Sequence, residues 1–585
     1  MFQPHRTFRL HLPVSCLALS LLVASSICLG EWKEVKVPDA WKNPPAGVGG
    51  YAWYRCVLNV PASWKDRPLE IFVEPVDDAR EIFVNGESVA TLGSFPPQFR
   101  SGLGNRDRYS LDHRYIHFGD KNIVAIRVYS SDARGGFNVA APVVFAGEEA
   151  IRLEGTWQFQ GGDDRQWGKW ETGSPPQSVV HSKVVARSEA ERILRRLPGE
   201  EGPLSVANAL KKFKTPDDLV VEIALSEPQI AQPLFMSFDE RGRLWVMNYL
   251  QYPNPAGLTM VSRDKHLRTV YDKIPPPPPG HFRGADKITI HEDTDADGRF
   301  DRHTTFVDGL NLATSFAHGR GGVWVLNPPY LLFYPDRNQD DVPDGDPDVH
   351  LEGFGLEDSH SVVNNLRFGP DGWLYAAQGS TVTGHIRRYG SQDHQEKLVH
   401  SMGQLIWRYH PESKRYEIFA EGGGNAFGVE IDAKGRIYSG HNGGDTRGFH
   451  YVQGGYYQKG FGKHGELSNP YAFGYFAQMQ HHSVPRFTHT FVIYEGAALS
   501  AQYAGKLFGV GPLQSHVVIS DFQPSGATFK TRDIGHALTS ADPWFRPVAI
   551  SPGPDGALYV ADMYEQRIDH ASHYQGRVDK SNGRI

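Results

Sequence analysis

A short phrase recurs six times after residue 230: an apolar strand, a tight turn built on acidic residues or glycine, and a second apolar strand. It reads PLFMSFDERGRLWVMN from Pro233, SFAHGRGGVWVLN from Ser315 and NNLRFGPDGWLYAAQG from Asn364. It returns as NAFGVEIDAKGRIYSGHN from Asn425, more weakly as AGKLFGVGPLQSHVVISDF from Ala504, and as RPVAISPGPDGALYVAD from Arg546. No single copy can bury both faces of a two-stranded hairpin, so the copies must pack on one another. The starts near 233, 315, 364, 425, 504 and 546 are separated by 82, 49, 61, 79 and 42 residues. A propeller blade needs roughly 40–50 residues, so three blades carry long insertions. Each phrase is expected to supply the two inner strands of a blade, with outer strands following, as in the hairpin IWRYHPESKRYEIFAEG from Ile406. Six such units close a ring, and residues 216–585 are expected to form a six-bladed β-propeller.

A chain of 585 residues is too long for one core. Residues 31–172 form a second strand-rich region: YAWYRCVLNV, PLEIFVEPV, REIFVNGESVATLG, KNIVAIRVYS and GTWQFQG, separated by Pro, Gly and Asp turns. The alternation in IFVEPV and IVAIRVY marks half-buried antiparallel strands. About eight strands in this length argue for a β-sandwich or jelly roll. Residues 173–215 turn polar and are expected to be a linker with two short helices, over SEAERILRRL and LSVANALKKF. The fold class is therefore all-β, an N-terminal jelly-roll β-sandwich followed by a six-bladed β-propeller.

Residues 1–30 have the pattern of a secretion signal: Arg6 and Arg9, then an apolar stretch from Leu12 to Leu29, then Gly30. The alternative is an uncleaved membrane anchor. Export to a periplasmic or extracellular location is expected, with membrane association under the alternative. Removal of Cys16 and Cys28 would leave Cys56 alone, so the exported protein would have no internal disulfide. A net charge of -7 with interspersed signs lacks the basic footprint of a nucleic-acid binder.

Two acidic loops have calcium-loop spacing. Asp293, Asp295, Asp297 and Asp301 stand at positions 1, 3, 5 and 9, with Gly298 at position 6. Hard oxygen ligands at this spacing wrap Ca²⁺, and the glycine permits the sharp turn. The second loop carries Asp336, Asn338, Asp340 and Asp344, with Asp341 where glycine is usual. Neither has a glutamate at position 12, so neither is a full EF-hand, and an acidic solvated turn is the competing interpretation. Calcium here would be structural. The glycine-rich segment Gly440–Gly465 gathers His441, Asn442, Asp445, Arg447, His450, Tyr456, Tyr457, Lys459 and His464. It suits a sugar or cofactor pocket, or a long surface loop.

The N-terminal region resembles the sugar-binding jelly-roll domain of β-galactosidase-type glycoside hydrolases. The resemblance rests on Trp53-Tyr54-Arg55, the Val60-Pro61-x-x-Trp64 turn, Val76-Asp77-Asp78, the Asn85-Gly86 turn and Asn122 to Val128. It implies an accessory carbohydrate-binding role. From about residue 205, KKFKTPDDLVVEIALSEP, FDERGRLWV, HEDTDADGRFDRHTTFVDGLN and HSVVNNLRFGPDGWLYAAQGS resemble the large secreted propeller proteins of planctomycetes labelled membrane-bound dehydrogenases. Their propeller is similar to that of the PQQ-dependent glucose/sorbosone dehydrogenases. That resemblance implies a sugar or sugar-derived alcohol or aldehyde as substrate, PQQ as cofactor and a cytochrome as electron acceptor. It makes His360, just before the Leu-x-Phe-Gly-Pro-Asp-Gly phrase, the general base; Asp358, two residues away, is placed to orient or acidify the ring. It also makes Asn425 and Arg546 contacts to cofactor or substrate. His441 joins this set because it too lies at the end of an inner strand, where the blades converge. Two departures stand against PQQ: Gly424 replaces an arginine, and no lysine is evident around Gln514 to His516. A non-catalytic carbohydrate- or protein-binding scaffold is the competing function.

Overall fold

The computed structural model describes residues 32–40, 50–73, 78–100, 102, 108–130, 136–137, 140–169, 180–194, 202–263, 268–391, 397–441, 445–460, 467–481, 488–568 and 578–585. The signal-like segment, Val76, Asp77, Asn442 and His464 lie outside these. Among the described residues no helix is long and apolar enough to cross a membrane.

The N-terminal region consists of two sheets face to face. One has the strand order 33–37, 155–161, 51–59, 121–129, 79–84, 87–92, with Val180–His181 also pairing with Tyr51–Asn59. The other runs 184–186, 149–152, 143–146, 69–72, 108–111. The period-2 pattern explains the packing. Leu69 and Ile71 point inward against Tyr54, Ile82, Ile126 and Trp157, while Phe72, on the other face, joins Val143, Phe145 and Ala150. Helix Arg187–Leu194 covers that outer face through Ala190 and Leu194. Part of the stretch expected as linker thus adds strands to both sheets and a helix to one. Cys56 is buried in the shared core.

Six further sheets form the propeller. Blades one to six begin with inner strands 233–238, 315–318, 363–368, 430–431, 491–493 and 547–552. Apolar clusters run between neighbouring blades: Trp324, Leu326 and Leu331 of blade two pack on Val363, Leu366 and Trp407 of blade three. The expected outer hairpin of blade three is present as strands 405–410 and 415–423. Blade five differs from expectation. There the phrase from Ala504 supplies the second and third strands, 507–511 and 516–525, and the inner strand is Phe491–Ile493. The turn between these two strands, Pro512-Leu513-Gln514-Ser515, carries neither an acidic residue nor a glycine, which is why the phrase is weak there.

The ring closes on blade six. Its second strand, Leu558–Asp562, takes Arg584 as a neighbour, with Asp562 N donating to Arg584 O at 2.8 Å and Arg584 N returning a bond to Asp562 O at 3.0 Å. Ile585 in turn pairs with Ala224 and Leu225 from the start of the propeller. Phe213–Lys214 adds an outer strand to blade five. Residues from both sequence ends of the propeller therefore complete the seam.

Candidate functional site

Antiparallel blades place the start of each inner strand and the end of each second strand on one face of the ring. His360, Asn425, His441 and Arg546 all lie at such positions. Asp358 is buried, and its Oδ1 accepts the His360 backbone N–H at 2.9 Å and faces His360 Nδ1 at 3.1 Å. Its Oδ2 accepts the Thr381 hydroxyl. His360 Nε2 lies 2.7 Å from the hydroxyl of Tyr252. Tyr252 comes from the insertion after blade one, 108 residues away in sequence, and its ring packs against Tyr249 at 5.5 Å between centroids. Sequence patterning did not single out Tyr252. Its signal was only a tyrosine in an insertion that follows a second strand. A carboxylate on Nδ1 fixes the ring with its N–H toward Asp358, leaving the Nε2 lone pair to accept from Tyr252. The result is a buried acceptor, an oriented imidazole and a hydroxyl in one line.

Asn425 supports this arrangement from blade four. Its Nδ2 donates to the His360 carbonyl at 2.8 Å and its Oδ1 accepts from Ser380 N at 2.7 Å. The structure thus brings Asn425 and His360 together and fixes the backbone of the histidine. His441 lies beside them: its Cε1 and Nδ1 occupy the space 2.3 Å from where a Cβ on residue 424 would stand. Glycine at 424 is what admits the imidazole, and an arginine there would collide with it. Burial pushes His441 down to about 4, so the ring is neutral.

Arg546 is engaged by backbone carbonyls. Its guanidinium donates to the carbonyls of Glu565 at 2.8 Å and Pro543 at 3.1 Å, and also to those of Pro512 and Gln566. It ties loop backbones together at the foot of blade six. Asp562, whose Oδ1 accepts from Arg546 N and Tyr564 N, is pushed up to about 7 by burial. PQQ carries three carboxylates. The three positions that the resemblance assigns to it hold a glycine beneath a neutral imidazole, an amide already bonded on both atoms, and a guanidinium spent on carbonyls. These residues do not fit that group in the way the resemblance implies.

In the Gly440–Gly465 segment, Arg447, Tyr457 and Lys459 turn inward, whereas Asp445 is exposed. Arg447 pairs with Asp533 and donates to Thr488 Oγ1 at 3.1 Å. Lys459 forms a fully buried ion pair with Glu421. Tyr457 donates to His450 O at 2.5 Å.

The acidic loops sit at the opposite ends of the blades, each joining the third and fourth strands, in blades one and two. They share one conformation. Asp297 N faces Asp293 Oδ1 at 3.2 Å and Asp295 Oδ1 at 3.3 Å, and Asp340 N faces Asp336 Oδ1 and Asn338 Oδ1 at the same two distances. Asp301 accepts from Thr294 N, and Asp344 from Arg337 N. Positions 4 and 6 are left-handed in both: Ala296 and Gly298, then Gln339 and Asp341. Asp341 keeps that conformation while accepting a two-point bond from Arg243, at 2.6 and 2.9 Å. Among the described residues, ligand oxygens of Asp293, Asp295 and Asp297 lie within 4.8 Å of one another. This oxygen set and turn geometry fit a hard cation.

Burial of neutral imidazoles is expected to make the protein lose stability in acid. His318, His350, His441, His489 and His516 are pushed down to about 4, and His291 to about 3, each mainly by burial. Unfolding returns each toward about 6.5, so the unfolded chain takes up protons first as pH falls. Their stabilisation is full above about 6.5 and is lost as the pH drops through about 4. Asp286 and Asp562, raised to about 7 by burial, oppose this: their contribution is present below about 4 and lost as pH rises through about 7. Burial also raises Asp336, Glu430 and Glu565, and the six imidazoles outnumber these five carboxyls. Unfolding free energy from urea titrations is expected to fall between about pH 6.5 and 4.5; a flat or rising profile would show that these rings are not buried and neutral.

Residues 205–585 match the family model described as Domain of unknown function (DUF7133). No match was found among curated proteins. Similar solved structures include the PQQ-bound aldose sugar dehydrogenase of Streptomyces coelicolor, 14% identical, covering 66% of this chain and 98% of that one, with a TM-score of 0.35. The soluble aldose sugar dehydrogenase of Escherichia coli, in its apo form, is 13% identical over 76% of this chain and 91% of its own, with a TM-score of 0.27. Virginiamycin B lyase of Staphylococcus aureus is 9% identical over 60% and 81%, with a TM-score of 0.28. Likeness at this level carries no argument about activity, and the architecture rests on the strand order given above. With most of its length matched, the chain belongs to the family described as Domain of unknown function (DUF7133).

Proposed function

We propose that this chain is a sugar dehydrogenase-like propeller in which His360 is the general base for a hydroxyl of a sugar or sugar-derived alcohol or aldehyde hydrate. The observation that supports this is the line Asp358, His360, Tyr252 at the face where the inner strands begin. In this reading Nε2 takes the hydroxyl proton, directly or through the Tyr252 hydroxyl, and Asp358 stabilises the imidazolium that forms. The carbinol hydrogen leaves with two electrons to an acceptor as the carbonyl closes. PQQ is the acceptor that sequence resemblance names, with a cytochrome beyond it. The N-terminal sheets would hold carbohydrate, and the segment 1–30 would direct export to the periplasmic or extracellular side. A purified chain supplied with Ca²⁺ and a panel of quinone acceptors, PQQ among them, should reduce a dye across a sugar panel. No binding and no turnover would sink the dehydrogenase reading.

A second reading, a non-catalytic carbohydrate- or protein-binding scaffold, is favoured by the spent guanidinium of Arg546 and by His441 over Gly424. It predicts sugar or protein binding without dye reduction.

Calcium belongs to the proposal as a structural ion in both acidic loops. Chelation is expected to lower the thermal midpoint reversibly, and Asp293→Asn and Asp336→Asn should each remove one bound ion by calorimetry. Identical melting with and without chelator would overturn it.

A further inference from the structure

His385 and His400 stand directly opposite each other on the antiparallel strands Gly384–Arg388 and Val399–Ser401. Both are exposed. Their Nδ1 atoms are 3.4 Å apart and the ring planes are inclined at 38°. Two imidazole nitrogens bound to one ion at 2.0–2.1 Å in tetrahedral geometry lie roughly 3.3 Å apart. The pair already has the bite of a chelate. Its backbone is fixed from behind, since His385 N donates to Gly353 O at 2.9 Å and the buried Ile386 anchors the same strand. A Cβ on Gly353 would lie 1.9 Å from the His385 carbonyl, so the neighbouring strand is pressed against it. The nearest cation on this strand, Arg387, is held by Glu352 at 2.6 Å.

A second opposed pair shows the contrast. His291 and His303 also face each other across two strands, but their Nδ1 atoms are 2.9 Å apart and His291 Nε2 contacts Thr289 Oγ1 at 2.7 Å. That spacing is a hydrogen bond with one shared proton, and His291 is fully buried. With one ring buried and the nitrogens this close, there is no room for an ion between them.

We propose that His385 and His400 form a surface chelate for a divalent transition metal of the zinc class, with its other positions open to water or an outside donor. Imidazole ligands select zinc, copper or nickel over calcium, whereas the carboxylate loops select the reverse. The two kinds of site are therefore separable in one experiment. Zinc chloride is titrated calorimetrically into the full chain at neutral pH with calcium chloride held in excess, so that the acidic loops are already occupied. Wild-type protein is expected to show a one-to-one zinc site that His385→Gln and His400→Gln each weaken at least tenfold. Superimposable titrations for wild type and the double variant would overturn the proposal. Both side chains are exposed, so circular dichroism should be unchanged. If a glutamine variant does disturb the hairpin, cobalt(II) added to wild type gives the second readout: imidazole-type absorption supports the site, and its absence overturns it.

Discussion

His360→Ala is expected to lower kcat by about 10²- to 10⁴-fold, the range a positioned general base contributes, with little change in thermal midpoint. The ring is at the edge of the buried network, so its removal opens no large cavity. Tyr252→Phe keeps the ring that packs on Tyr249 and removes only the hydroxyl that meets Nε2. Its effect separates two routes. If the proton passes through the tyrosine, kcat falls nearly as far as in His360→Ala; if the substrate hydroxyl reaches Nε2 directly, it falls much less. Asp358→Asn should also lose activity, because an amide no longer enforces the tautomer that leaves Nε2 free to accept. Steady-state rates on whichever sugar the panel identifies decide the matter. Full activity in His360→Ala would remove the histidine from the chemistry even if the protein proved to be a dehydrogenase.

Arg584→Ala is expected to cost about 3–5 kcal/mol, the range for removing one member of a buried ion pair. The arginine donates to Glu227 at 2.7 and 3.1 Å, reaches Leu204 O at 2.6 Å, and lies 3.5 Å from the Tyr564 ring centroid. Its loss strands the Glu227 carboxylate at the ring seam. Because Glu227 keeps 18% side-chain exposure, water compensates part of this and the lower end of the range is expected. Urea unfolding measures it. As a control, Arg283→Ala removes a pair in which both side chains are 66% exposed and should change stability little. Equal effects from the two substitutions would mean that the seam is not held by this contact.

The blades were legible because each phrase encodes two strands and the turn between them in local chemistry. Blade five was the exception, since its inner strand Phe491–Ile493 is joined to the next strand by the long stretch 494–506 instead of a short turn. The conformation of both acidic loops was also legible, down to the left-handed sixth position. That Asp341 would stand there against Arg243 was not, because the partner lies 98 residues away. The candidate site divides in the same way. His360 and Asp358 are two residues apart and share a turn, whereas Tyr252 reaches them only through the closed ring. The missing arginine at 424 looked like a lost function in the sequence. In three dimensions it is a space filled by His441, which is a packing relation no linear pattern carries.

The seam on blade six also dictates an order of events. Arg584 and Glu227 are 357 residues apart in the chain, and contacts of that separation form only after a large loop entropy has been met. Blades one to five can stack as their hairpins emerge, each resting on the one before. The circle itself waits for residues 584–585 to find 224–226. An arc of blades with one open flank is thus the expected last intermediate, and a proteolytic pulse during refolding should cut first near the flank that blade six has yet to cover.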